Sequence, residues 1–167
     1  VHVYSNLASE STELYSPSAA FDPVERLYFQ GVVEAIEWTA GGTILAAAVR
    51  NDYSLHLFSA TGSETTMERR LLHLNENPLD NFCSFTVLGL ASSPDGRWLA
   101  AHTDKGHVII FCLHSGKRVR TLHGGAGDDF SRPIQAWHPS GRYIYASAND
   151  TPGLIVVWEL ASERQGA

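Results

Sequence analysis

Short apolar segments recur along the chain with one shared pattern. Each is rich in β-branched or aliphatic residues, ends in an aromatic residue and is followed by a small or polar one. Four segments have this pattern, at 1–5, 55–59, 108–112 and 155–159. Their aromatic residues, Tyr4, Phe58, Phe111 and Trp158, are separated by 54, 53 and 47 positions. A nearly constant spacing of this size predicts stacked or radial repeats of one supersecondary unit.

Turn residues recur in phase with these segments. Glycine-containing turns at 40–42, 93–96 and 139–141 each precede an apolar segment by a similar interval. Strand-like runs precede these turns at 32–38, 85–91 and 133–138, and others follow them at 43–48, 97–102 and 142–147. A last run follows each of the first three aromatic segments, at 13–16, 67–74 and 117–122. No stretch has an apolar stripe at helical spacing, so the prediction is an all-β chain of four-stranded antiparallel units.

These motifs resemble those of one repeat family. The stretch 92–100 (SSPDGRWLA) resembles the turn between the first two strands of a WD40 blade, and 137–144 (WHPSGRYI) is similar to it. The stretch 156–159 (VVWE) resembles the strand that ends in Trp-Asp, with Glu in place of Asp. Other repeats depart from the family, because Tyr4, Phe58 and Phe111 replace Trp, and only Asp52 has the place of the buried turn aspartate. The resemblance implies about three blades of a larger, seven-bladed WD40-type β-propeller.

The phase of the repeats predicts where the blades divide. Residues 1–18 are expected to be the third and fourth strands of a first blade, and 19–74 a second blade with a long loop before it. Residues 75–122 are expected to be a third blade, 123–160 a fourth that lacks its last strand, and 161–167 a tail. Since a propeller closes with about four to eight blades, the missing blades are expected from residues beyond this sequence or from other copies of the chain.

The loop before the second blade contains ERLYFQG at 25–31, which is similar to a viral protease site used in engineered linkers. We interpret it as a native loop without a function of its own, and an engineered linker is the alternative.

Composition narrows the function classes. A net charge of −6 disfavours direct binding to nucleic acid or to an anionic membrane, which requires surplus lysine and arginine. The apolar runs are far shorter than the roughly 20 residues of a membrane helix. Two cysteines, Cys83 and Cys112, are too few for a disulfide-stabilised secreted domain. An intracellular protein, cytoplasmic or nuclear, is therefore expected.

The residues suited to metal or catalytic chemistry have structural explanations. His102 and His107 flank a predicted turn, and Cys112 and His114 lie at the far end of the next strand. Five strand residues at about 3.3 Å each place Cys112 about 16 Å from His107, so one metal ion cannot bind all four residues. His2 and His56 occupy the same position of two repeats, which favours packing between blades.

Two other patterns also lack the context that catalysis or phosphate binding requires. The glycine-rich stretch 124–129 ends in two aspartates, which repel phosphate, and it lacks the Gly-Lys-Ser/Thr of a phosphate-binding loop. The sequence has no Gly-x-Ser-x-Gly motif. We therefore expect no catalytic residue, no metal and no cofactor.

Basic residues cluster on two strands that the phase predicts to be outermost in their blades. Arg69 and Arg70 lie on one of them, and Lys117, Arg118 and Arg120 lie on the other. Such charges usually form a solvated edge, and contact with RNA or an acidic partner is the alternative.

The resemblance also implies where partners bind. Loops between second and third strands, and between successive blades, lie at one end of a WD40 propeller, where aromatic and arginine residues anchor partners. The candidates at those positions are Arg50, Tyr53, Phe82, Lys105, Phe130, Arg132 and Asp150. The function expected is a non-catalytic scaffold that binds proteins or peptides within a multi-subunit complex. The alternatives are a subunit that meets nucleic acid only indirectly, within a larger complex, and a propeller enzyme with a site in its channel.

Overall fold

The computed structural model describes residues 2–3, 25–39, 41–60, 67–77, 79–80, 82–124, 133–148, 151 and 153–160. Within these ranges the regular structure is entirely β, and every paired strand is antiparallel to its neighbour. The predictions of an all-β chain and of four-stranded antiparallel units are confirmed.

The strands form one short pair and three larger sheets. The pair consists of β1 (His2–Val3) and β2 (Glu25–Arg26). Sheet 1 consists of β3 (Val33–Trp38), β4 (Ile44–Val49), β5 (Ser54–Ala60) and β6 (Met67–His73). Sheet 2 consists of β7 (Val87–Ser92), β8 (Trp98–Thr103), β9 (His107–Cys112) and β10 (Lys117–His123). Sheet 3 consists of β11 (Gln135–Trp137), β12 (Tyr143–Ser147) and β13 (Ile155–Glu159).

Tight turns join the first two strands of each larger sheet, as the recurring glycines predict. Gly96 and Gly141 have φ angles of 68° and 70° and occupy the same position of two repeats. A side chain at this left-handed φ is strained, which explains why glycine recurs there. The turn residues are therefore fixed by backbone geometry.

Sheet 2 packs between sheets 1 and 3. On β8, Leu99 and Ala101 belong to the apolar cluster shared with sheet 1, whereas Ala100 belongs to the cluster shared with Ile144 and Ala146 of sheet 3. Successive side chains of a strand lie on opposite faces, so β8 is buried on both faces. This is the side-by-side arrangement of repeated sheets that the spacing of the aromatic residues predicts.

Five hydrogen bonds join neighbouring sheets. In each of them a side chain of one sheet bonds to a backbone atom of the next, either in a strand or in a residue directly beside a strand. Sheets 1 and 2 are joined by Arg70 Nη2 to Leu113 O (2.5 Å), Arg118 Nη1 to Leu74 O (3.3 Å) and Ser92 N to Glu37 Oε1 (3.0 Å). Sheets 2 and 3 are joined by Gln135 Nε2 to Ala100 O (3.2 Å) and Trp137 Nε1 to Ala91 O (3.0 Å). Arg70 is exposed, as the prediction of a solvated edge has it, and Arg118 is half-buried; both also donate to the neighbouring sheet.

The segment that was expected to be a loop before the second blade contains a strand. Glu25 and Arg26 form β2, and they pair with Val3 and His2. The pairing uses backbone groups alone, so the polar side chains that favoured a loop do not prevent it. The run expected at 13–16 lies outside the described residues, and the division of the chain into blades stays a prediction.

Candidate functional site

One end of sheets 1 and 2 gathers three connections of the chain, and we call it the rim. The rim comprises the turn 50–53 between β4 and β5, the turn 104–106 between β8 and β9, and the described residues of the connection 74–86 between β6 and β7. Backbone hydrogen bonds join these segments, since Leu74 N–H donates to Tyr53 O (2.8 Å) and Asp104 N–H donates to Thr86 O (2.9 Å). These hydrogen bonds hold the segments of the rim in fixed positions relative to one another.

Two clefts open at the rim and share the turn residues 51–53. The first cleft, of about 630 Å³, is lined by residues 28–31, 49–53, His56 and Arg69. The second cleft, of about 360 Å³, is lined by residues 51–53, 82–86 and Asp104. The turn 51–53 therefore forms the wall between the two clefts.

The described candidate residues all lie at this rim. Arg50 and Tyr53 line the first cleft, and Tyr53 and Phe82 line the second. Lys105 follows Asp104 in the turn that borders the second cleft. Phe130, Arg132 and Asp150 lie outside the described residues. The structure thus brings four predicted partner-binding residues to one end of the sheets, and their role in binding stays a prediction.

Close backbone contacts hold the turn 50–53 in place. Arg50 N–H donates to Val32 O (2.8 Å), and Arg50 Nε donates to Glu34 Oε1 (2.5 Å). A side chain at Gly31 would overlap the backbone oxygen of Arg50, so only glycine lets the two segments approach this closely. Asn51 has a φ of 62°, a left-handed conformation that asparagine tolerates better than most residues.

A chain of polar contacts underlies the first cleft. Asp52 Oδ1 accepts from Ser54 N–H (3.0 Å), and Asp52 Oδ2 lies 2.7 Å from His56 Nε2. Arg69 Nε donates to His56 Nδ1 (3.0 Å), so Nδ1 is an acceptor and the ring proton is on Nε2. Burial lowers the pKa of His56, and the charge of Arg69 lowers it further, against the opposing effect of Asp52. His56 is therefore a neutral packing residue, as its repeated position predicts.

The sequence did not reveal several residues of the first cleft. The Phe29 ring packs edge-on against His56 with centroids 5.1 Å apart, and Arg69 Cζ lies 6.0 Å from the centroid of Phe29. Arg69 therefore lines the cleft and stays exposed on the outer strand β6, in agreement with the predicted solvated edge. The available signal was the aromatic pair Tyr28 and Phe29 just before Gly31, which is unusual in a polar loop.

The connection between β6 and β7 is held by its own side chains. Asn75 Nδ2 donates to the backbone oxygens of Asp80 and Phe82, both at 2.8 Å. Asn77 Oδ1 accepts from Leu79 N–H (3.0 Å), and Asp80 Oδ1 accepts from Phe82 N–H (3.0 Å). These are the short-range turns that Asn and Asp favour. They hold Leu79 and Phe82 with 88% and 74% of their surface exposed.

The residues considered for metal binding are dispersed. His102 is buried, and its Nδ1 has no hydrogen-bond partner among the described residues, whereas His107 packs against the ring of His123 with centroids 4.5 Å apart. In the part of the chain that the structure describes, no group of three or more His, Cys, Asp or Glu residues is arranged to hold a metal ion. Of the glycine-rich stretch, only Gly124 is described. Likewise, the described ranges contain no helix long and apolar enough to span a membrane.

Comparisons with known proteins identify the repeat. No family model matches the chain. The chain is 34% identical over 147 residues to a WD repeat-containing protein of Synechocystis sp., an alignment that covers 88% of this chain and 37% of that protein. The Cps50 (Swd1) β-propeller domain of Myceliophteria thermophila has a TM-score of 0.66 at 18% identity, over 87% of this chain and 45% of that domain. The sheets are blades of a WD40-type β-propeller.

Two further comparisons support the WD40 assignment. A stretch of 30 residues is 53% identical to a WD repeat-containing protein of Deinococcus radiodurans, and it covers 18% of this chain and 11% of that protein. A chain of the mitotic checkpoint complex has a TM-score of 0.52 at 17% identity, over 92% of this chain and 57% of that one. The WD40 blades described here thus span less than half the length of the Synechocystis protein and of the Swd1 domain.

Proposed function

We propose that this chain is a non-catalytic scaffold that binds a protein or peptide partner at the rim. The observation that carries the proposal is the pair of adjoining clefts, with Tyr53 between them and Phe82 at the edge of the second. Tyr53 is 39% exposed, so both rings present apolar surface to solvent on a backbone that is already ordered. Aromatic side chains on a rigid support are typical anchors of protein interfaces.

The contacts of His56 favour a binding function over a catalytic one. Among the described residues, His56 is the only histidine that lines either cleft, and both of its ring nitrogens are engaged, one by Asp52 and one by Arg69. Its pKa is lowered mainly by burial, so it stays neutral. A residue held in this way contributes to packing and does not accept a substrate proton.

The comparisons support a role within an assembly. One protein with the same fold was solved in the mitotic checkpoint complex. Since this chain spans 37% of the Synechocystis protein, we propose that further blades flank these sheets in the whole protein. They would come from the rest of the chain or from other copies. The net charge of −6 supports protein partners and at most indirect contact with nucleic acid.

A reducing compartment, cytoplasmic or nuclear, fits the cysteines. Cys83 and Cys112 are both free thiols, and structural disulfides are typical of secreted proteins. Burial raises the pKa of the Cys83 thiol, which keeps it protonated and unreactive.

Removing the two rim aromatics tests the proposal. Tyr53→Ala with Phe82→Ala is expected to abolish binding of proteins that the parent chain captures from its native cell extract. Candidate partners are then purified, and their binding to both chains is compared. Tyr143→Ala, at the opposite end of sheet 3, is the control and should bind as the parent does. Equal binding by the parent and by the Tyr53/Phe82 variant would contradict the proposal.

A further inference from the structure

The second cleft combines apolar exposure with an ordered backbone. Leu79 and Phe82 are the most exposed apolar residues in the described part of the connection between β6 and β7. The hydrogen bonds from Asn75, Asn77 and Asp80 fix the backbone beneath them. A partner that covers these side chains gains apolar burial without the entropic cost of ordering the connection.

The charged residues in the described lining of the second cleft are acidic. Asp52 and Asp104 line it, and Asp80 lies beside Phe82, whereas its described lining contains no lysine or arginine. Burial raises the pKa of the Cys83 thiol most, the nearby charges of Asp104 and Asp80 raise it further, and the charge of Arg118 lowers it.

The neighbouring basic groups lie outside that lining. Arg118 donates to Leu74 O beneath the connection and lies 3.9 Å from Glu76, and Lys105 follows Asp104 in its turn. The first cleft differs, because its described lining contains Arg50 and Arg69 together with one acidic residue, Asp52.

We infer that the second cleft, with Leu79 and Phe82, binds a peptide segment that carries an apolar side chain next to a lysine or arginine. The apolar side chain covers Leu79 and Phe82, and the cation lies near Asp80 and Asp104. This inference rests on the proposed function, since it specifies the chemistry of a partner at the same rim. An acidic segment would favour the first cleft, where the two arginines are.

A random 12-residue peptide library displayed on phage and selected on the immobilised chain tests this inference. Two variants remove the two halves of the site separately. Asp80→Asn with Asp104→Asn removes both charges but keeps the side-chain oxygens that accept from Phe82 N and Thr86 N. Leu79→Ser with Phe82→Ser removes the apolar surface. Circular dichroism verifies that each variant is folded.

Matched controls carry the same kinds of change at residues that line neither cleft. Glu68→Gln with Glu159→Gln removes two exposed charges at the opposite end of sheets 1 and 3. Leu71→Ser with Val119→Ser removes two exposed apolar side chains from the outer strands β6 and β10. Selected peptides are expected to bind both controls as they bind the parent.

The expected result is enrichment of peptides in which lysine or arginine neighbours an apolar residue. Their affinity should fall roughly threefold to tenfold in the Asp80/Asp104 variant, since each exposed charge contributes modestly. It should fall by more than about tenfold in the Leu79/Phe82 variant.

Three outcomes would overturn the inference: selection of acidic peptides, binding that both variants retain, or failure to select any peptide. If the selected peptides instead lose binding only on Tyr53→Ala, the proposed rim function stands and this inference fails. If native partners also bind the Tyr53/Phe82 variant normally, the rim function itself fails.

Discussion

Asp52 connects the rim turn to the interior of sheet 1. Its two carboxylate oxygens contact the backbone of Ser54 and the ring of His56, and His56 in turn accepts from Arg69. Asp52 in the turn, His56 on β5 and Arg69 on β6 are thereby held together as one polar unit under the first cleft.

Asp52→Ala is expected to lower the free energy of unfolding by roughly 1–3 kcal/mol, because it leaves the buried Nε2–H of His56 without an acceptor. Urea unfolding measures the change. The control is Glu68→Ala on the exposed face of β6, which should change stability by no more than about 0.5 kcal/mol. Equal effects of the two substitutions would contradict the role given to Asp52.

His102 makes the stability of the chain depend on pH. Burial lowers the pKa of His102 to about 4, whereas an unfolded histidine titrates near 6.5. Between these values the unfolded state binds a proton that the folded state does not. The contribution of His102 to the free energy of unfolding is therefore largest above pH 6.5 and falls as the pH is lowered toward 4.

His102→Leu should reduce this pH dependence without abolishing it, because burial also lowers the pKa values of His56 and His107. One such histidine contributes a slope of at most about 1.4 kcal/mol per pH unit. Urea unfolding of the parent and the variant at pH 8, 7, 6 and 5 measures the slopes. Parallel curves for the two proteins would show that His102 is not responsible.

For single residues, the sequence predicted whether a side chain is buried better than it predicted which residues that side chain contacts. The repeated histidine position predicted that His56 is a packing residue, because repeats place equivalent residues alike. Its partner Arg69 was not predicted, since a position on a strand does not specify which residue of the adjacent strand a long side chain will contact. Asp104 was missed for a related reason, because it lies three residues before its next strand, whereas Asp52 lies two residues before its own.

At the scale of elements, both four-stranded sheets carry the same irregularity. The register shifts between Val33 and Ala35 in sheet 1 and between Val87 and Gly89 in sheet 2, at the start of the first strand in each case. Such a bulge increases local twist and redirects the chain. It lies where the backbone leaves the rim and enters the sheet, so it helps to set the direction of the connections that border the clefts.

Arg70→Met is expected to lower the free energy of unfolding by about 1 kcal/mol, because Leu113 O loses its hydrogen bond from the adjacent sheet. Arg120→Met on the exposed face of β10 is the matched control and should have little effect. Thermal unfolding followed by circular dichroism distinguishes them. If both substitutions have the same small effect, the bond from Arg70 does not stabilise the contact between sheets.

Most strands could be located from the sequence because their pattern repeats. The predicted runs at 155–159 and 67–74 agree with β13 and with β6 to within one residue. In contrast, β2 could not be predicted, since its two polar residues pair through backbone groups that leave no pattern of apolar side chains. The rim connections were equally hard to predict. Hydrogen bonds from polar side chains, and not burial of apolar ones, determine their backbone conformation.

At the scale of the whole molecule, sheet 3 has an open side. Among the described residues β13 pairs only with β12, and Ile155 and Val157 on β13 are 64% and 49% exposed. An apolar edge strand with free backbone groups is a site for pairing with another chain.

The isolated chain is therefore expected to self-associate through β13, and Ile155→Lys with Val157→Lys should reduce that association, because charge on an edge strand opposes pairing. Sedimentation velocity over a range of concentrations measures the effect. Leu71→Lys with Val119→Lys, on outer strands β6 and β10, is the control and should associate as the parent does. Association that persists in the β13 variant would place the contact elsewhere.

The hydrogen bonds between sheets, each made by a side chain to a backbone atom, explain how such repeats diverge. A backbone oxygen is present whatever residue carries it, so Leu113, Leu74, Ala100 and Ala91 can be exchanged without loss of the acceptor. A substitution in one blade thus seldom requires a compensating one in its neighbour. Blades joined in this manner can drift apart in sequence independently, and a new interaction surface can evolve on one blade while the next stays unchanged.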